Sequence, residues 1–144
     1  MNNGEYLTVK VGKENYTATV SVRNHTFYGD EPESVGGNNN GPNPYEFLLA
    51  ALGTCTAMTV KMYANRKDWP LEEVVVHLSQ SKEYAKDCLE CEKATAKIDV
   101  IQKKIEFIGD LSEEQKKRLL EIAGKCPVHK TLTGEINIES TLAE

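Results

Sequence analysis

Apolar and polar residues alternate through the N-terminal part of the chain. In Tyr16–Val22, the residues Tyr16, Ala18, Val20 and Val22 fall on one face and Thr17, Thr19 and Ser21 on the other, which is the period of a half-buried strand. Glu5–Val11 reads as a partner strand, joined through a hairpin turn at Gly12-Lys13-Glu14-Asn15, and His25–Tyr28 as a third. From Gly29 to Pro42 the Gly, Asn and Pro content marks a loop. It is longer than a connector needs to be, which raises a binding or lid role. The period then changes. Asn43 suits an N-cap, Pro44 suits the first helical position, and the Glu46 carboxylate can bond back to the cap N–H. From Phe47 to Val60 no side chain is charged, so this helix is apolar nearly all round and is expected to be buried on most sides. Charges return from Lys61, and Trp69-Pro70 ends the segment. Val74–Leu78 and Ala94–Phe107 read as strands around the charged stretch Ser81–Lys93. Gly109-Asp110 is a turn, and Ser112-Glu-Glu-Gln115 is a capping box opening a second helix. On that helix Leu119, Ile122 and Cys126 share a face, Pro127 marks a break or a fresh start, and Glu135–Ser140 reads as a closing strand. The order predicts one α+β domain over residues 1–144, with a buried helix laid on a mainly antiparallel sheet.

Composition narrows the function. A chain of 144 residues fits one domain at about 150 residues per domain, and can bury a core without disulfides or metal. The net charge of −5 argues against a general nucleic-acid binder, which needs a basic stripe to displace phosphate counterions. No run approaches the roughly 18 apolar residues of a membrane span, so no membrane partner is expected. The start, MNNGEYLTVK, is not patterned as a secretory signal, so a cytoplasmic location is expected.

In a reducing compartment, Cys55, Cys88, Cys91 and Cys126 are not needed as bridges, so each is core filler, a metal ligand or a reactive group. Cys55 lies mid-helix, away from the helix N-terminus, so only a nearby cation could favour its thiolate. Cys126 ends the second helix on its apolar side. Two core-facing helices in one small domain are expected to pack together, which could bring these thiols within the roughly 4.4–6.8 Å Cα separation of a disulfide. Cys88-x-x-Cys91 has zinc-knuckle spacing, but no second half-site accompanies it, and His25, His77 and His129 are scattered. No metal is therefore expected. Glu46 has the capping role open to it, and Arg23 and His25 read as solvated strand residues.

Gly36-Gly37, Gly41-Pro42, Pro44-Tyr45-Glu46, the Leu-rich helix and Gly53-Thr54-Cys55 together closely resemble the OsmC/Ohr family of organic hydroperoxide-resistance proteins. Lys125-Cys126-Pro127-Val128-His129 is similar to the family's second cysteine motif. The likeness runs along nearly the whole chain, and Asp30-Glu31-Pro32, Trp69-Pro70 and the Cys88/Cys91 segment look like the OsmC-like branch. The resemblance implies antiparallel sheets wrapped around a long buried helix in an intertwined homodimer. It implies a peroxidatic Cys55, resolved as a disulfide by Cys126 and reset by an external dithiol reductant, with organic hydroperoxides preferred to hydrogen peroxide and no cofactor. It also implies an activating glutamate and arginine, for which Glu46 and Arg23 are the candidates, His25 being an alternative to Arg23. The match departs from the family at Tyr45, which holds the usual glutamate position. Glu46 stands nine residues before Cys55, about half a turn away in azimuth. Two rivals remain: an OsmC-like redox-sensing or small-ligand-binding protein with little turnover, and a metal-linked role for Cys88 and Cys91.

Overall fold

A computed structural model describes residues 6–84 and 97–143; Cys88 and Cys91, with the start of the expected strand at Ala94, lie outside the described residues. The chain separates into two compact units, Met1–Ala50 and Ala51–Glu144.

In the first unit, β1 (Thr8–Val11), β2 (Ala18–Val22) and β3 (His25–Gly29) form an antiparallel sheet in sequence order. The expected alternation sets its register: Val9, Val20 and Phe27 stand in one cross-strand row. That face lines an apolar groove of about 510 Å³, together with Leu7, Val11 and Tyr16. The loop after β3 is pinned rather than open. Asp30 is buried, and its carboxylate accepts from Thr17 Oγ1 at 2.8 Å, Glu31 N at 2.7 Å and Asn40 N at 3.2 Å. Gly41 is required there, since a Cβ would lie 2.1 Å from the Tyr28 carbonyl oxygen.

The helix α1 (Pro44–Arg66) starts where its capping signals put it. Glu46 N donates to Asn43 Oδ1 and Asn43 N donates to Glu46 Oε1, each at 2.8 Å. By length and composition alone α1 is long enough and apolar enough to cross a membrane, a test that the core helix of a folded domain also passes. Glycine, threonine and alanine interrupt its aliphatic residues without adding charge. Its buried residues Leu52, Thr56, Val60 and Ala64 form one stripe, four residues apart, with Gly53 beside it. The stripe faces the second unit's core, and Met58 and Met62 on other sides are exposed within a single chain.

In the second unit, β4 (Leu71–Tyr84) and β5 (Lys97–Gly109) form a long antiparallel ribbon, well beyond the expected Val74–Leu78. Then follow α2 (Glu113–Ala123), opened by the expected Ser112/Gln115 capping box, and α3 (Pro127–Thr133). Val60 and Ala64 of α1, Leu71, Leu111, and Leu119, Ile122 and Ala123 of α2 make the core, backed by Val74, Ile105 and Phe107 of the ribbon. The antiparallel sheets and the long helix give the expected α+β fold.

Two expectations are corrected. Cys126 does not end α2. The proline after it disfavours helical backbone, so Cys126 is extended (φ −67°, ψ 147°) and caps α3 instead. No strand forms at Glu135–Ser140. Its alternation is real, but a strand needs a partner edge, and in the single chain Ile138 is 83% exposed.

Candidate functional site

The site is built in the second unit by a close approach of helix to ribbon. A Cβ on Gly53 would lie 2.7 Å from Leu78 Cδ1, so the missing side chain lets α1 sit down on β4. Leu78 stands opposite Lys103 in the ribbon register. The next residue of the buried stripe, Thr56, therefore meets Lys103, whose Nζ donates to Thr56 Oγ1 at 3.1 Å. Lys103 occupies the inward phase of β5, in line with Ile101, Ile105 and Phe107. Its other two N–H groups reach the Ala123 carbonyl at the end of α2, at 2.9 Å, and His129 Nδ1, at 2.9 Å. An ammonium has three donors, and here each finds an acceptor. His129 Nδ1 then accepts, which puts the imidazole proton on Nε2. Burial, and then the charge of Lys103, holds His129 below the ordinary histidine range.

Cys55 and Cys126, the free thiols among the described residues, come together here. Cys126 is fully buried, whereas Cys55 is partly exposed. The Cys126 sulfur lies 3.4 Å from Thr56 Oγ1 and accepts from His129 N at 3.3 Å, and Cys55 is its neighbour. Burial pushes the Cys126 thiol up, but the Thr56 hydroxyl, the His129 N–H, Cys55 and the charge of Lys103 together outweigh it, leaving it below the ordinary thiol value. Thr56 Oγ1 also bonds the Leu52 carbonyl at 2.8 Å, so its single proton has both that oxygen and the sulfur as possible acceptors. Burial lowers Lys103 from the ordinary lysine value, and the thiolate charges of Cys126 and Cys55 pull it back up. A cavity of about 200 Å³ opens onto Lys103 and His129, with walls from Leu52, Ile101 and Leu132 and with Asp99 and Thr133 at its edge.

The other nominated residues belong to the first unit. Arg23 sits on the tight turn between β2 and β3 at φ 51°, exposed. His25 opens β3 and is exposed. Glu46 is exposed and engaged in the α1 capping box. Lys103 and Thr56 were missed from sequence. The signals were there: a lysine in the apolar phase of a strand, and a threonine on the stripe of Leu52, Val60 and Ala64. The Lys103-Lys104 pair hides the first, since any strand directs one of two neighbours outward.

Residues 36–141 match the family model of the OsmC-like proteins. Solved structures agree in fold. An OsmC-like protein from Mycoplasma pneumoniae aligns over 100% of both chains with TM-score 0.70 and 22% identity. An organic hydroperoxide resistance protein OsmC from Legionella pneumophila aligns over 92% of this chain and 93% of its own, with TM-score 0.63 and 18% identity. A protein from Vibrio cholerae, described as a putative organic hydroperoxide resistance protein with captopril bound in one of its active sites, aligns over 95% and 90%, with TM-score 0.60 and 15% identity. No protein of curated function matches the chain. With a family match over most of its length and the same architecture in these structures, the chain belongs to the OsmC/Ohr family.

Proposed function

We propose that the protein is a cytoplasmic, thiol-dependent peroxidase that reduces organic hydroperoxides. The observation that carries the reading is a partly exposed thiol, Cys55, neighbouring a fully buried one, Cys126. The exposed partner suits the attacking role, and the buried one suits a resolving role that an outside oxidant cannot pre-empt. Cys55 Sγ attacks the peroxide O–O bond. An S–O bond forms as the O–O bond breaks, the electron pair leaves on the alkoxide, and a proton converts it to the alcohol. Cys55 is thereby oxidised to a sulfenic acid and the peroxide reduced. The Cys126 sulfur then attacks Cys55, expelling water and closing a disulfide, which an external dithiol reopens by exchange. The apolar walls of the neighbouring cavity support a preference for organic over hydrogen peroxide.

A homodimer belongs to the same proposal. The exposed Met58 and Met62 on α1, and the unpaired alternation at Ile136 and Ile138, are surfaces that a second copy could cover. One observation favours the rival reading of a redox sensor with little turnover: the Glu46 carboxylate is spent on a helix cap. Turnover separates the two. Wild-type protein supplied with a dithiol is expected to consume cumene or t-butyl hydroperoxide far faster than Cys55→Ser. Equal rates would end the enzyme reading.

A further inference from the structure

We propose that Lys103 is the positioning cation of the thiol pair, keeping one negative charge shared between Cys55 and Cys126. The argument starts from what a half-buried ammonium needs. Its three N–H groups are satisfied, but by three uncharged acceptors: the Thr56 hydroxyl, the Ala123 carbonyl and the neutral His129 imidazole. Hydrogen bonds answer the donors and leave the charge uncompensated, and a charge taken out of water favours an opposite charge nearby. The groups that face this point can be named element by element. Cys55 comes from α1, Asp99 from β5, where Lys82 of β4 is bonded to it, and Cys126 and His129 from the start of α3. Among the described residues the possible anions here are the two thiols and Asp99, and Asp99 accepts from Lys82 at 3.0 Å and from Gln80 at 3.3 Å. The Cys126 sulfur, by contrast, meets uncharged groups, the Thr56 hydroxyl and the His129 N–H. One of the two thiols, ionised, supplies the missing charge, and the Thr56 hydroxyl, which accepts from Lys103, can turn its own proton to the Cys126 sulfur or to the Leu52 carbonyl. His129 serves the same arrangement twice, its ring holding Lys103 and its backbone N–H holding the sulfur.

The proposal takes its functional meaning from the peroxidase reading, since a resting thiol pair with one proton removed is the form that attacks a peroxide. Its test, however, needs no peroxide. The rate of alkylation by iodoacetamide, followed against pH with Cys55 and Cys126 peptides read separately by mass spectrometry, reports the thiolate directly. Lys103→Gln keeps N–H donors for the same acceptors and removes the charge; Lys103→Arg keeps the charge. Circular dichroism verifies both folds. The Gln variant is expected to move the alkylation midpoint of the pair up by about one pH unit, slowing reaction at neutral pH about tenfold, whereas the Arg variant recovers most of the wild-type rate. Three results would overturn the proposal: an unchanged midpoint in Lys103→Gln, an equal shift in both variants (which would make the role one of packing), or a shift produced by Arg23→Met instead. Hydroperoxide consumption is scored separately. Wild-type protein that alkylates as expected yet turns over no faster than Cys55→Ser would sink the peroxidase reading and leave the role of Lys103 standing.

Discussion

With Cys126 replaced by serine, excess t-butyl hydroperoxide in the absence of reductant is expected to carry Cys55 past the sulfenic acid, to mass gains of about 32 and 48 Da for the sulfinic and sulfonic acids. Wild-type protein should instead take up about one equivalent per thiol pair and stop at a disulfide. The difference follows from where the two sulfurs sit. Cys55 is partly exposed, so oxidant reaches it again after the first step. Cys126 is buried beside it and is held below the ordinary thiol value by Thr56, His129 N, Cys55 and Lys103 despite its burial. A thiol favoured toward its thiolate and placed beside Cys55 condenses with the sulfenic acid before a second peroxide arrives. Serine at the position keeps the size and the cap of α3 but cannot form the bond. A Cys126→Ser protein that halts at one equivalent without over-oxidation would show that Cys126 is not the resolving group.

Thr56→Val is expected to lower stability by about 1–3 kcal/mol, because a buried donor loses its acceptor. The two side chains have nearly the same shape, and both are β-branched, so the change isolates the hydroxyl. Thr56 is fully buried, and its oxygen accepts from Lys103 Nζ at 3.1 Å and stands 3.4 Å from the Cys126 sulfur. Valine leaves one ammonium N–H unpaired and removes the hydroxyl that helps hold Cys126 below the ordinary thiol value. The denaturation midpoint should therefore fall, and disulfide closure after a single peroxide addition should slow. Thr56→Ser, which restores the hydroxyl, should recover the closure rate. A valine variant as stable and as fast as wild type would mean that the network of Lys103, Thr56 and Cys126 carries no weight.

Much of this architecture is legible from the residues. Asn43 and Glu46, and Ser112 and Gln115, mark the openings of α1 and α2, because a capping box is a local device that tertiary contacts rarely override. Pro127 likewise marks a break, though not the extended conformation that turns Cys126 into a cap. What sequence could not supply is anything that depends on partners distant along the chain. The alternation at Glu135–Ser140 promises a strand, and only a partner edge can make one. Cys55 called for a cation from elsewhere. The resemblance alone pointed to Arg23, on a turn of the first unit, while the lysine that meets the thiols stands on β5, brought there by the Leu78–Lys103 pairing and by the close seat of Gly53. Register across a ribbon and the depth at which a helix settles are not written in local propensity.

The central claim, that Cys55 and Cys126 are one redox couple, is tested most directly by peptide mapping of the wild-type protein after one equivalent of t-butyl hydroperoxide. The account predicts a single dominant cross-link between the Cys55 and Cys126 peptides. A dominant Cys88–Cys91 link, or oxidation of Cys55 with no cross-link to Cys126, would contradict it.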